Sequence, residues 1–186
     1  MKENLWNVPN ILTFFRLILV PVFVLVFLWN FKNHHLVSAI LFLVAAITDW
    51  LDGYLARKLN QSSSFGAFLD PVVDKVIVAA ALVLLVYEFH NFWMAIAGIV
   101  IVSREIVVSA LREWMAELGA RATVKVSFIG KVKTAMQMIA LLVLLASASI
   151  GFSNLWVALG MISLYVAVLL TLWSMCLYLV AAWKYF

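Results

Sequence analysis

Residues 11–31 read ILTFFRLILVPVFVLVFLWNF, an apolar run interrupted only by Thr13, Arg16, Pro21 and Asn30. The run is continuous rather than alternating, which selects a helix over the strand of a membrane barrel. It is as long as the roughly 20 residues a helix needs to cross the hydrocarbon core of a bilayer. Lipid offers no partner to backbone N–H and C=O groups, so a crossing segment must satisfy them internally, as a helix does. No small-residue cleavage site follows, and the run is therefore expected to be a retained helix rather than a signal peptide.

Further runs of the same kind cover residues 36–55, 68–89, 92–109, 134–149 and 155–182. Hydrophobic residues make up 67% of the chain and charged ones 12%, against about 25% charged in a soluble domain. The expected fold class is thus all-α and integral to the membrane, with six transmembrane helices and both termini cytoplasmic. The fifth run is short and must borrow flanking residues. With that orientation Lys2, Arg57, Lys58, Arg104, Arg112, Arg121, Lys125, Lys131, Lys133 and Lys184 lie inside, and only Lys32 lies outside. The asymmetry follows the positive-inside rule, which the opposite orientation would violate. No repeat or long linker divides the chain, so residues 1–186 are read as a single domain. The lone Cys176 falls in the last run and excludes an intramolecular disulfide. His34, His35 and His90 fall in predicted outer loops, where solvation is expected. Nothing in the mild net charge of +4 suggests a nucleic-acid partner.

Four aspartates stand at or near apolar runs: Asp49, Asp52, Asp70 and Asp74. A carboxylate near bilayer depth is costly and reads as a functional site facing the protein interior or water. Asp49 and Asp52 are spaced i, i+3 and share a face of the second helix. Asp70 and Asp74 are spaced i, i+4 on the third, where Pro71 suits a first turn. The short connection NQSSSFG (residues 60–66) makes the two helices antiparallel neighbours, so all four carboxylates can converge. Packed together they repel unless cations intervene, and hard oxygen donors in this number suit Mg²⁺ or Mn²⁺, one ion or two. The alternative is solvation of helix ends with ion pairs to Arg57 and Lys75. Gly53 and Gly66 permit close approach by a bulky ligand and Ala56 keeps the same face open. Arg57 has the fork that meets a phosphate bidentately, although it also reads as a topology anchor.

The stretch from Asp49 to Lys75, DWLDGYLARKLNQSSSFGAFLDPVVDK, fits DxxDGxxAR-x8-GxxxDxxxD at every fixed position. It resembles the signature of the CDP-alcohol phosphatidyltransferase family. The resemblance implies six transmembrane helices, a homodimer, and a CDP head group bound beside a two-metal centre. Carried over by position, it implies that Asp49, Asp52, Asp70 and Asp74 ligate metal. It also implies that Asp49, Asp52, Gly53, Ala56, Arg57 and Gly66 contact the nucleotide side, with Asp74 the general base.

The acceptor is sought on the rest of the inner face. Arg104 and Arg112, spaced i, i+8, roughly share a helix face, and with Lys131 and Lys133 they form a cationic set suited to a phosphate monoester. Binding of anionic lipid head groups is the competing reading. The stretches SREIVVSALREWMAELG (103–119), IGKVKTAMQM (129–138) and PNILTFFR (9–16) resemble the bacterial branch of the family whose acceptor is glycerol-3-phosphate. The implied donor is CDP-diacylglycerol, the implied by-product CMP, and the implied location the bacterial inner membrane with a cytoplasmic site. Asn10, Thr13 and Arg16 would share a helix face toward that site, although Asn10 after Pro9 also suits a cap. Another acceptor alcohol (serine, inositol phosphate or phosphatidylglycerol) stays open. A divalent-cation transporter is disfavoured, because its carboxylates would line a crossing path rather than gather at one side.

Overall fold

The computed structural model describes residues 7–59, 64–118, 128–148 and 154–183. These residues are helical with short connections and contain no strand. The helices are α1 (Val8–Leu28), α2 (His34–Leu59), α3 (Ser64–Phe89), α4 (Phe92–Glu117), α5 (Phe128–Ser147) and α6 (Leu155–Ala182). By length and composition α1, α2, α4 and α6 can each cross a membrane, and the apolar part of α5, Val132–Ser147, is shorter. The protein is an all-helical, multi-pass membrane protein.

The helix limits follow local chemistry. Asn91 caps α4, its side-chain oxygen accepting from the N–H groups of Trp93 (2.8 Å) and Met94 (3.4 Å), and Asn154 caps α6 by accepting from Trp156 N–H at 2.9 Å. Asn33 and His90 take left-handed φ values of 70° and 48° where the chain turns into α2 and α4; Asn and His are among the side chains that tolerate that region best. Three expectations are corrected. Asn7, not Asn10, is the cap residue of α1, and Asn10 lies inside the helix and buried. Helix α3 begins at Ser64, so Pro71 sits within it rather than in its first turn and removes the N–H that would reach back to Ala67. His34 and His35 open α2 instead of occupying a solvated loop. His35 is buried against Phe27 with its Nε2 3.4 Å from a Glu88 carboxylate oxygen.

The chain divides into two compact units, Met1–Glu88 with Leu145–Ser149, and Phe89–Leu144 with Ile150–Phe186. In the first, α1 packs along α2 through fully buried Phe23, Phe27 and Phe42, and Phe14 stacks on Phe65 of α3 at 5.7 Å. In the second, α4 packs on α6, burying Met94, Ala97 and Ile101 on one side and Leu164 and Ala167 on the other. Gly160 of α6 lies so close to α5 that a Cβ there would stand 2.8 Å from the Leu144 side chain, the close approach small residues allow between membrane helices. Ile18, Leu25, Ile99 and Ile162 are more than 60% exposed, whereas Arg16, Asp52, Arg104 and Lys133 are buried. That inversion suits a lipid solvent outside and polar chemistry inside.

Candidate active site

Arg16, in the third turn of α1, is 2% exposed and reaches all four aspartates. Its Nη1 donates to Asp49 (2.8 Å) and Asp74 (2.5 Å), and its Nη2 to Asp52 (2.5 Å) and Asp70 (3.4 Å). Each terminal nitrogen therefore joins one carboxylate of α2 to one of α3. One turn earlier on the same helix, the Thr13 hydroxyl donates to Asp70 at 2.5 Å. The i, i+3 and i, i+4 spacings do this work, setting each pair of carboxylates on one helix face. Asp49 and Asp74 share the same Arg16 nitrogen, Nη1.

Three of the four carboxylates remain open: the side chains of Asp49, Asp70 and Asp74 are 45%, 39% and 46% exposed, and only Asp52 is enclosed. One guanidinium offsets one of four negative charges, so the cluster stays strongly acidic and accessible. Among the described residues no three acidic, histidine or cysteine side chains already close on a single point as a metal cage, since Arg16 fills the space between them. Gly53 has no atom within 4 Å of the place a Cβ would take, which leaves room beside Asp52, and Gly66 is buried. The side chains of Ala56 and Arg57 lie outside the described ones.

The second unit holds a cluster of the opposite sign. Arg104 is buried on α4, with Nη1 on the carboxylate of Glu105 and Nη2 donating to Ser174 Oγ of α6 at 2.8 Å. Ser174 in turn donates to the Thr171 carbonyl at 2.8 Å. Lys133 of α5, also buried, places Nζ 3.9 Å from the same Glu105 oxygen. Arg112 is exposed yet close enough to Lys133 for repulsion between the two charges to be felt. Arg104 and Arg112 thus do not share a face closely: eight residues at 100° each leave them about 80° apart, one inward and one outward. The Lys131 side chain lies outside the described ones. Glu105 and Ser174 were not singled out from sequence; Glu105 carries the same signal as the aspartates, an acid next to a cation in an apolar helix, whereas nothing in the sequence marks Ser174.

A family model described as CDP-alcohol phosphatidyltransferase matches residues 6–173. The chain belongs to the CDP-alcohol phosphatidyltransferase family. Among curated relatives it is 54% identical over 178 residues to the CDP-diacylglycerol–glycerol-3-phosphate 3-phosphatidyltransferase of Salmonella typhimurium, covering 95% of both chains. It is 53% identical over 178 residues to the protein of the same name from Escherichia coli, again with 95% of both chains covered.

Proposed function

We propose that this enzyme transfers the phosphatidyl group of CDP-diacylglycerol to glycerol-3-phosphate, giving phosphatidylglycerol phosphate and CMP. The observation that carries the reading is the convergence of Asp49, Asp52, Asp70 and Asp74 at one guanidinium in a chain this similar to the two relatives. The donor set fits Mg²⁺ or Mn²⁺, most simply two ions: four hard carboxylates, three of them accessible, carry far more negative charge than Arg16 offsets. Bound there, the ions supply positive charge that neutralises the diphosphate and the charge developing at phosphorus.

The protein's own groups divide the remaining work. Asp49, Asp52, Gly53, Ala56, Arg57 and Gly66 hold the nucleotide side of the donor, and the open face at Gly53 gives it room. Arg104, Arg112, Lys131 and Lys133 hold the phosphate of the acceptor, where Arg104 and Lys133 share the single carboxylate of Glu105. Asp74 takes the proton of the acceptor hydroxyl as that oxygen attacks the lipid-linked phosphorus, and the bond to CMP breaks with its electron pair leaving on CMP. Both substrates are bound together, so no phosphatidyl-enzyme forms. The family resemblance supports a homodimer, and the basic residues support a site on the cytoplasmic side of the inner membrane. The test is CMP release from CDP-diacylglycerol in detergent micelles with a panel of acceptors. Glycerol-3-phosphate should be the acceptor used; turnover with serine, inositol phosphate or phosphatidylglycerol in its place would reassign the reaction.

A further inference from the structure

The transfer reading gives Arg16 no task, yet among the described residues it is the side chain that meets all four aspartates. It sits in a segment of α1 apolar enough to cross a membrane, where an unpaired cation would be expensive. Its two terminal nitrogens each take one carboxylate from α2 and one from α3. Its Nε is buried and makes no hydrogen bond, so the fork alone holds the side chain. Without a cation at this point, the two acidic pairs would repel across the α2–α3 gap, most strongly at the enclosed Asp52. Arginine keeps its charge at any accessible pH and presents two donors at fixed spacing. A lysine carries its three donors on one nitrogen and could not occupy both of the points that the guanidinium reaches.

We propose that Arg16 is a positioning residue, a resident counter-ion that clamps the α2 and α3 aspartates in register when divalent cations are absent and competes with those cations when they bind. The competition rests on the metal reading above; the clamp does not. The test is thermal unfolding of the purified full-length protein in detergent, followed by tryptophan fluorescence in EDTA and then in Mn²⁺. In EDTA, Arg16→Met should lower the midpoint by about 10 °C or more, with Arg16→Lys falling between it and the unmodified protein. Mn²⁺ should raise the midpoint of Arg16→Met by more than it raises the unmodified protein. Adding Asp52→Asn to Arg16→Met should recover part of the EDTA midpoint, because it removes repulsion that packing loss alone would not create. That double variant and Arg16→Lys decide the matter if Arg16→Met cannot be purified. An Arg16→Met midpoint equal to the unmodified one in EDTA, or a double variant no more stable than the single, overturns the clamp. An unmodified protein indifferent to Mn²⁺ overturns the competition and the metal reading with it, while the EDTA comparison still decides the clamp.

Discussion

The two units carry clusters that are near inverses. In the first, four carboxylates surround one guanidinium; in the second, Arg104 and Lys133 share one carboxylate, that of Glu105. Each contains a single internal counter-ion and a surplus of the other sign. A buried surplus of charge is costly and persists only where something compensates it. The acidic surplus asks for cations and the basic surplus for an anion, which are the needs of a metal-bound diphosphate donor and a phosphate-bearing acceptor. The clusters also differ in access: three aspartates of the first are about two-fifths exposed or more, whereas Arg104 and Lys133 are nearly enclosed.

The largest effects should come from the acidic side. Asp49→Ala, Asp52→Ala, Asp70→Ala or Asp74→Ala should each lower kcat by about 10²–10³-fold or more, with the protein still folded in the membrane. EDTA should abolish turnover of the unmodified enzyme and Mg²⁺ or Mn²⁺ restore it; full turnover with chelation verified would break the assignment of this cluster to cations.

The basic side should act on one substrate only. Lys133→Ala or Arg112→Ala should raise the KM for glycerol-3-phosphate roughly 10- to 150-fold, the equivalent of a charge-assisted contact worth about 1.5–3 kcal/mol. The KM for CDP-diacylglycerol should change far less. Because Arg112 is exposed and Lys133 enclosed, Lys133→Ala should be the more severe of the two. Unchanged acceptor kinetics in both would return these cations to lipid anchoring.

Smallest should be the effect of packing remote from either cluster. Gly160→Ala drives a methyl against Leu144 and should cost about 1–3 kcal/mol of stability, lowering the unfolding midpoint by several degrees with both KM values unchanged. A shift in either KM would link that helix contact to substrate binding.

Much of this arrangement is legible in the sequence because membrane helices announce themselves. Unbroken apolar runs locate the six helices, most ends to within four residues, although α4 continues eight residues past its run and α5 begins six before its own, and the aspartate spacings place four carboxylates on facing helix sides. What stayed hidden depends on partners distant along the chain. The sequence groups Arg16 with Asn10 and Thr13 on a face of α1, but nothing local says that each of its two terminal nitrogens bridges α2 to α3. Ser174 meets Arg104 only because α4 packs on α6. His35 was misread as solvated since the turn from α1 into α2 is tighter than the loss of apolar residues suggested. The early start of α3 escaped notice because the preference of proline for first turns is a tendency, and a helix can carry Pro71 in its interior at the loss of one hydrogen bond.

The proposed reaction has donor and acceptor held at once and the hydroxyl attacking phosphorus directly. A two-step route would need a protein nucleophile at the aspartates. Among the described residues the groups bonded there are Thr13 and Arg16, with no imidazole to activate the hydroxyl. The most direct measurement is isotope exchange, with enzyme, metal, CDP-diacylglycerol and labelled CMP incubated without glycerol-3-phosphate. Direct transfer predicts no label in the lipid until the acceptor is added. Rapid labelling in its absence would mean that the phosphatidyl group rests on the protein, and would contradict the account.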